Sequence, residues 1–80
     1  MAIDSEFRIN RASDFGAALK HFRIKSEKTQ EEAAEMDRIG QSYLSSLESG
    51  KIGSASLGHA LRLLRLLGCE VIIRRRDSRG

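Results

Sequence analysis

The chain has 80 residues, a single cysteine (Cys69) and a formal net charge of +3, which permits an anionic partner without requiring one. One cysteine excludes an intrachain disulfide and a zinc-binding cysteine cluster, and His21 and His59 lie too far apart in the sequence to suggest another metal site. The apolar runs are far shorter than the roughly 20 residues that span a bilayer and no export signal opens the sequence, so we expect one cytoplasmic domain over residues 1–80 with no membrane partner.

The first predicted elements are a short arm and a helix. Residues 5–10 (SEFRIN) alternate polar and apolar side chains, which is typical of a short strand or an extended arm. Ser13 and Asp14 have the pattern of a helix start, in which a hydroxyl caps the helix and an acid follows in the first turn. Apolar residues then recur at helical spacing and predict a first helix over about 14–25. These apolar residues are Phe15, Ala18, Leu19 and Phe22.

Two short helices joined by a tight turn are predicted next. Thr29 and Glu32 have the spacing of a capping box, which places a second helix over about 30–37. A third helix is predicted over about 41–48, and Gly50 lies where a left-handed C-cap is expected. The apolar side chains expected inside are Ala33, Ala34, Met36, Leu44 and Leu47.

A fourth helix is predicted over about 56–67, ending at Gly68. Its expected inner face consists of Leu57, Ala60, Leu61, Leu64 and Leu67.

The residues after Gly68 predict a C-terminal strand. Residues 69–75 are rich in β-branched side chains, with Cys69, Val71 and Ile73 on one face. A lone strand leaves a row of unpaired backbone groups, and residues 6–9 are the only partner that the chain offers. A domain this small also buries only about 60% of its unfolded surface. We therefore expect a homodimer in which the strand pairs across a two-fold axis, with its own copy or with the other chain's N-terminal arm. The dimerisation residues would be Val71, Ile72 and Ile73.

Two short helices, a tight turn and a third helix describe a helix-turn-helix. The stretch TQEEAAEMDRIGQSYLSSLESGK resembles the signature of the phage-repressor-like (XRE-type) DNA-binding domain. That family reads Thr-Gln-x-Glu-Leu-Ala, a turn, Ser-polar-x-x-Ile/Leu-Ser, then apolar-Glu-x-Gly. The resemblance covers about residues 14–67. It implies a mainly α fold, namely a four-helix lambda-repressor-like domain, to which the predicted C-terminal strand is added.

Three residues depart from the family pattern. Ala33 stands where a larger aliphatic residue is usual, and Asp37 occupies a normally apolar position. Arg38 falls where a turn glycine is usual. It implies either a left-handed arginine, at roughly 1–2 kcal/mol, or a reshaped turn.

The C-terminal sequence LRLLRLLGCEVIIRRR is similar to HipB-like antitoxins of type II toxin–antitoxin systems. This resemblance implies a dimeric β lid, binding to an inverted-repeat operator and binding to a HipA-like serine/threonine kinase toxin. A free-standing regulator of the same family and a protein-binding module with a relic helix-turn-helix are the alternatives. No acid, nucleophile and base fall into a recognised spacing, so we predict no catalytic residues, no cofactor and no enzymatic activity.

The third predicted helix has a surface suited to contacting DNA bases. A recognition helix must bring hydrogen-bonding groups to base edges without bulk that holds it away from the groove. Gln41 can make a bidentate contact with adenine N6 and N7, and Ser42 and Ser46 share one face at i and i+4. An ordinary hydrated surface is the alternative interpretation of these polar side chains.

Other residues are predicted to contact the DNA backbone. Gln30 opens the second helix, where backbone N–H groups favour a phosphate, and the resemblance implies that it braces Gln41. Lys51 is either a phosphate contact or a solvated loop lysine, and Tyr43 either lies flank-on to a phosphate or is partly buried. The predicted DNA-binding set is Gln30, Gly40, Gln41, Ser42, Tyr43, Ser45, Ser46 and Lys51.

Two further groups of charged residues have expected roles outside the surface of the third helix. The resemblance implies a buried, structural ion pair between Arg23 and Glu48 that joins the first helix to the end of the third. The basic run at residues 74–76 has three interpretations: it flanks DNA, contacts an acidic patch on a partner protein, or forms a solubilising tail.

Overall fold

A computed structural model describes residues 6–77, and within this range the chain forms four helices and no strand. The helices are α1 (Ser13–Lys25), α2 (Gln30–Met36), α3 (Gln41–Glu48) and α4 (Ser54–Leu66). Helix α1 packs against α3 and α4, and α2 packs against the same two helices. In the described part of the chain, none of these helices is long and apolar enough to cross a membrane. The predicted mainly helical, four-helix architecture is therefore confirmed.

The hydrophobic core lies where the four helices meet. The large side chains in it come from α1, α3 and α4, whereas α2 contributes only the small side chains of Ala33 and Ala34. Because alanine side chains are small, the two buried residues of α2 add little apolar area to the core. The buried apolar residues are Ala18, Leu19, Ala33, Ala34, Leu44, Leu47, Ala60, Leu63 and Leu64.

The buried face of α4 differs from the prediction at two leucines. Leu61, predicted to lie inside, is 37% exposed, and Leu63 is fully buried instead. At about 100° per residue, Leu61 and Leu63 lie on opposite flanks of the stripe centred on Ala60 and Leu64. The spacing of the leucines fits both flanks equally well, so only the position of the other helices decides which one is covered.

Ser13 does not cap α1 as predicted, and the Asp14 side chain instead holds the turn that precedes the helix. The Asp14 carboxylate oxygen Oδ2 accepts the backbone N–H of Asn10 at 2.7 Å and that of Arg11 at 3.0 Å. The N-cap residue, Ala12, makes no side-chain cap. The two backbone hydrogen bonds favour the charged carboxylate and lower the pKa of Asp14 below its ordinary value.

The capping box predicted at the start of α2 is present. The Thr29 hydroxyl oxygen accepts the backbone N–H of Glu32 at 3.0 Å, and the Glu32 carboxylate accepts the backbone N–H of Thr29 at 2.8 Å. The bond from the Thr29 backbone is the largest cause of a lowered pKa at Glu32. At α4 the Ser56 hydroxyl similarly accepts the Gly53 N–H at 2.8 Å, so this helix begins two residues before its predicted start.

Acid is expected to weaken the starts of α1 and α2. Because folding lowers the pKa of Asp14 and Glu32, their contribution to stability is fully present above the ordinary carboxyl pKa of about 4. It is lost as the pH falls through the lowered folded-state values. Near neutral pH, wild type should melt at a higher temperature than the Asp14→Asn, Glu32→Gln double variant. The gap in melting temperature should close in acid, and a gap independent of pH would contradict the prediction. Glu35→Gln, at an exposed position of α2 away from its start, is the control.

The turn between α2 and α3 contains a left-handed arginine. Arg38 has a φ of 56°, which resolves the two alternatives left by its position in the sequence. Its N–H donates to the Glu35 carbonyl at 3.1 Å, and the Ile39 N–H donates to the Ala34 carbonyl at 3.0 Å. These bonds close the end of α2 in the way that a C-terminal glycine usually allows, at a conformational cost of about 1–2 kcal/mol.

The strand predicted over residues 69–75 is absent from the single chain. The Cys69 N–H donates to the Leu64 carbonyl at 2.8 Å. The Cys69 side chain is partly buried, and this burial raises the pKa of its thiol. Beyond this point Val71, Ile72 and Ile73 are exposed, Ile73 almost completely at 96%. Within residues 6–77 this segment is not assigned as a strand, and a strand requires a second segment to supply its backbone hydrogen bonds.

The N-terminal segment forms an arm and not a strand in its described part, residues 6–10; residue 5 of the predicted segment lies outside the described residues. The side chain of Ile9 packs against the core. The ring of Phe7 lies 5.6 Å from that of His21 on α1.

Candidate nucleic-acid interface

Helix α3 buries three side chains and exposes a polar surface. Leu44, Leu47 and Glu48 face the interior. At about 100° per residue, the opposite side of the helix is formed by three serines, which are exposed or half-exposed. This surface, the serine face, consists of Ser42, Ser45 and Ser46.

Gln41 and Tyr43 lie on opposite sides of the serine face. Helical spacing places Gln41 beside Ser45 and Tyr43 beside Ser46, and both flanking side chains are exposed. The helix begins after Gly40, which has an extended backbone and no side chain to project beyond the N-terminus. The described surface of α3 therefore combines small hydroxyls with one amide and one phenol.

A chain of hydrogen bonds connects the interior of the protein to Gln41. Arg23 donates from Nε to Glu48 Oε2 at 2.6 Å and from Nη2 to Glu48 Oε1 at 3.1 Å. The Gln30 side-chain amide donates to Glu48 Oε1 at 3.0 Å, and the Gln41 amide donates to Gln30 Oε1 at 3.4 Å. This series of contacts, the Gln41 relay, consists of Arg23, Glu48, Gln30 and Gln41.

The direction of the hydrogen bonds in the Gln41 relay determines which donor and acceptor groups of Gln41 remain available to a ligand. A carboxylate only accepts hydrogen bonds, so Gln30 must donate its N–H to Glu48 and present its oxygen to Gln41. Gln41 therefore uses one N–H for Gln30 and retains its carbonyl oxygen and a second N–H. One donor and one acceptor are what a bidentate contact with adenine N7 and N6 requires. The bracing and the base contact predicted for Gln41 are thus compatible.

The ion pair at the base of the relay lies in the protein interior. The Arg23 and Glu48 side chains are 11% and 3% exposed. Arg23 also donates from Nη1 to the Lys28 carbonyl at 2.8 Å, so the same guanidinium holds the end of α3 and the loop before α2. The ion pair expected between Arg23 and Glu48 is therefore present, and it links three segments of the chain.

A second polar cluster, which the sequence analysis did not predict, lies between α2 and α4. The Asp37 side chain is 4% exposed and contacts His59 Nδ1 at 3.1 Å and Arg62 Nε at 3.1 Å. The His59 ring meets the Tyr43 ring edge-on, with centroids 5.5 Å apart. His59 is therefore half-buried, with its side chain 39% exposed. The sequence feature that could have indicated this cluster is Asp37. A carboxylate at a normally apolar position requires cationic or hydrogen-bonding partners.

The remaining residues of interest are exposed. Lys51 follows α3, and its backbone N–H donates to the Ser46 carbonyl at 3.1 Å while its side chain faces solvent. Residues 74–76 are also exposed, and the three interpretations of this basic run stay open. Over residues 6–77, no group of three or more His, Cys, Asp or Glu side chains is arranged to hold a metal ion.

The four helices, with α2 and α3 joined by a tight turn, define a helix-turn-helix protein. Residues 14–76 match the family described as a helix-turn-helix domain, and the chain belongs to this family. It is similar to the "Uncharacterized HTH-type transcriptional regulator y4mF" of Sinorhizobium fredii (strain NBRC 101917 / NGR234). The two are 33% identical over 66 residues, which cover 82% of this chain and 86% of the relative. The resemblance to a helix-turn-helix domain is confirmed, whereas the similarity to HipB-like antitoxins stays a prediction.

Proposed function

We propose that the protein is a sequence-specific transcriptional repressor that binds double-stranded DNA by placing α3 in the major groove. The observation that carries the proposal is the Gln41 relay beside the serine face. A hydrogen-bonded amide at the start of the exposed helix of a helix-turn-helix domain is prepared to contact a base edge. The name of the S. fredii relative, a transcriptional regulator, supports the same function.

The remaining polar residues of α3 and its surroundings would fix the protein on the duplex. In this proposal Ser42 and Ser46 contact bases or phosphates, and Ser45 contacts a phosphate. The DNA backbone would be contacted by Lys51, by the Tyr43 hydroxyl and by the second side-chain N–H of Gln30, which the relay does not use. Gly40 leaves room for a phosphate to approach the N-terminus of α3.

The proposal includes a homodimer that binds an inverted repeat. Val71, Ile72 and Ile73 are exposed apolar residues in an extended segment, and such a segment can form a strand when a second copy supplies the missing hydrogen bonds. Two α3 helices would then enter grooves whose half-site centres are about 34 Å apart or a multiple of this distance. In this proposal the protein represses transcription by occupying a promoter. We propose that this is the promoter of its own operon.

The antitoxin role is the finer part of the proposal. It is supported by the similarity of the leucine-rich fourth helix and the C-terminal segment to HipB-like antitoxins, whose partner is a HipA-like kinase toxin. Such a system would act in the cytoplasm. A free-standing regulator is the alternative, and purification of the native complex decides between them. We expect a kinase-like protein, encoded beside this gene, to co-purify, and its absence from both the complex and the neighbouring genes would favour the alternative.

DNA binding is tested by selecting duplexes from a random pool with the full chain and then measuring their affinity at several salt concentrations. Several phosphate contacts should give a steep decrease of log K with log salt. Gln41→Ala should weaken binding to the selected duplex by about tenfold and relax preference at one base pair. Ser26→Ala, at the exposed end of α1, should not change the affinity.

Two outcomes would contradict the proposed function. If the wild-type chain binds no duplex in a salt-dependent manner, the helix-turn-helix is a relic in a protein-binding module. If it binds but Gln41→Ala keeps both affinity and base preference, α3 is not the recognition helix.

A further inference from the structure

The edge of the serine face opposite Gln41 is formed by Tyr43, and this side chain is in contact with α4. The Tyr43 and His59 rings meet edge-on at 87°, with their centroids 5.5 Å apart. Aromatic rings prefer this T-shaped geometry, which orients both partners. Tyr43 is nevertheless exposed, so its ring is held on one side and open to a ligand on the other.

His59 is itself held in place from α2. Its Nδ1 lies 3.1 Å from the Asp37 carboxylate oxygen Oδ2, and the other carboxylate oxygen of Asp37 forms an ion pair with Arg62, whose Nε lies 3.1 Å away. Because a carboxylate accepts and does not donate, Nδ1 must carry the hydrogen, and this bond fixes the plane of the imidazole ring. The buried position of Asp37 leaves the cluster little freedom to rearrange.

We propose that His59 is a positioning residue of the DNA interface, which holds the Tyr43 ring so that its hydroxyl meets the DNA backbone beside the serine face. Asp37 and Arg62 orient His59 for this role. The inference rests on the proposed function, and it adds a residue of α4 to an interface otherwise built by α2, α3 and the loop after α3. The two edges of the serine face are then fixed independently, Gln41 from Gln30 and Tyr43 from His59.

The expected effect follows from the loss of preorganisation. Without His59, the Tyr43 ring is less restricted in the free protein and must be ordered when DNA binds. This entropic cost weakens the affinity by about two- to tenfold. His59→Asn is the informative variant because its amide can donate to Asp37 in place of Nδ1 but offers no ring to Tyr43. His59→Gln, with a longer amide, is the second variant if His59→Asn does not fold.

A double-mutant cycle with Tyr43→Phe separates positioning from general stability. In the Tyr43 background, His59→Asn should weaken binding to the selected duplex by about two- to tenfold. In the Tyr43→Phe background the same change should have less than about a twofold effect, because no hydroxyl remains to be positioned. An equal loss of affinity in both backgrounds would overturn the proposal, since His59 would then act only through the fold.

Tyrosine spectroscopy provides a measurement that needs no DNA. Tyr43 is the single tyrosine of a chain without tryptophan, so near-ultraviolet circular dichroism and fluorescence anisotropy decay report on this ring directly. His59→Asn should reduce the tyrosine dichroism and shorten the anisotropy decay while far-ultraviolet spectra stay unchanged. An unchanged tyrosine signal would overturn the role of His59. If wild type binds no duplex, the proposed function fails; if it binds and His59→Asn binds equally well, only this inference fails.

Discussion

Replacing Gly16 by alanine is expected to lower the free energy of unfolding by about 3 kcal/mol or more. Gly16 is buried in α1 where this helix crosses the end of α3. A Cβ atom at this position would overlap the Leu47 carbonyl oxygen and lie 3.1 Å from the Gly50 backbone nitrogen. Both neighbours are backbone atoms, so no change of rotamer relieves the overlap. Helix α1 would have to move away from α3. Chemical denaturation measures the resulting decrease in the free energy of unfolding.

The same substitution at Gly58 is a matched control. Gly58 lies within α4 and is exposed, and apart from its two chain neighbours and the backbone of its own helix no atom of the described residues lies within 4 Å of the Cβ that alanine would add. Alanine is the better helix former, so Gly58→Ala should raise the free energy of unfolding by about 0.5–1 kcal/mol. Opposite signs at the two glycines would support close contact between α1 and α3. A small effect of the same sign at both would show that the two helices are not packed as closely as described.

The sequence predicts several features of this fold that depend on neighbours along the chain. The capping box at Thr29 and the alternation of buried and exposed residues in α3 follow from helical geometry, so both could be predicted. Gly16 could not, because its importance depends on the distance between two helices and not on the sequence around it. A glycine within a predicted helix indicates only a weaker helix until its neighbour is known.

Two features that the sequence could not predict depend on contacts between distant segments. The pairing of Asp37 with His59 and Arg62 requires α2 and α4 to be adjacent, and the choice of Leu63 over Leu61 requires the position of the covering helices. The C-terminal strand is a different case. β-branched residues favour an extended backbone, but a strand also needs a hydrogen-bonding partner, which the described part of a single chain does not supply.

Replacing Glu48 by alanine is expected to lower the free energy of unfolding by about 3–5 kcal/mol. The substitution leaves Arg23, whose side chain is only 11% exposed, without its charge partner in the interior. It also removes the acceptor that fixes the Gln30 amide, so Gln30 can turn its N–H toward Gln41 and leave the orientation of Gln41 undefined. Thermal and chemical denaturation measure the first effect, and affinity for the selected duplex measures the second. An unchanged melting temperature would contradict the structural role of the ion pair.

The loss of stability and the loss of the relay can be separated with a double variant. Replacing Arg23 by methionine and Glu48 by leucine removes both buried charges, and such replacements often restore or exceed the original stability. We therefore expect the double variant to fold better than Glu48→Ala. It should nevertheless bind the selected duplex weakly, because Gln30 still lacks its acceptor. If affinity returned together with stability, the ion pair would contribute to the fold alone, and Gln41 would not depend on the relay for its base contact.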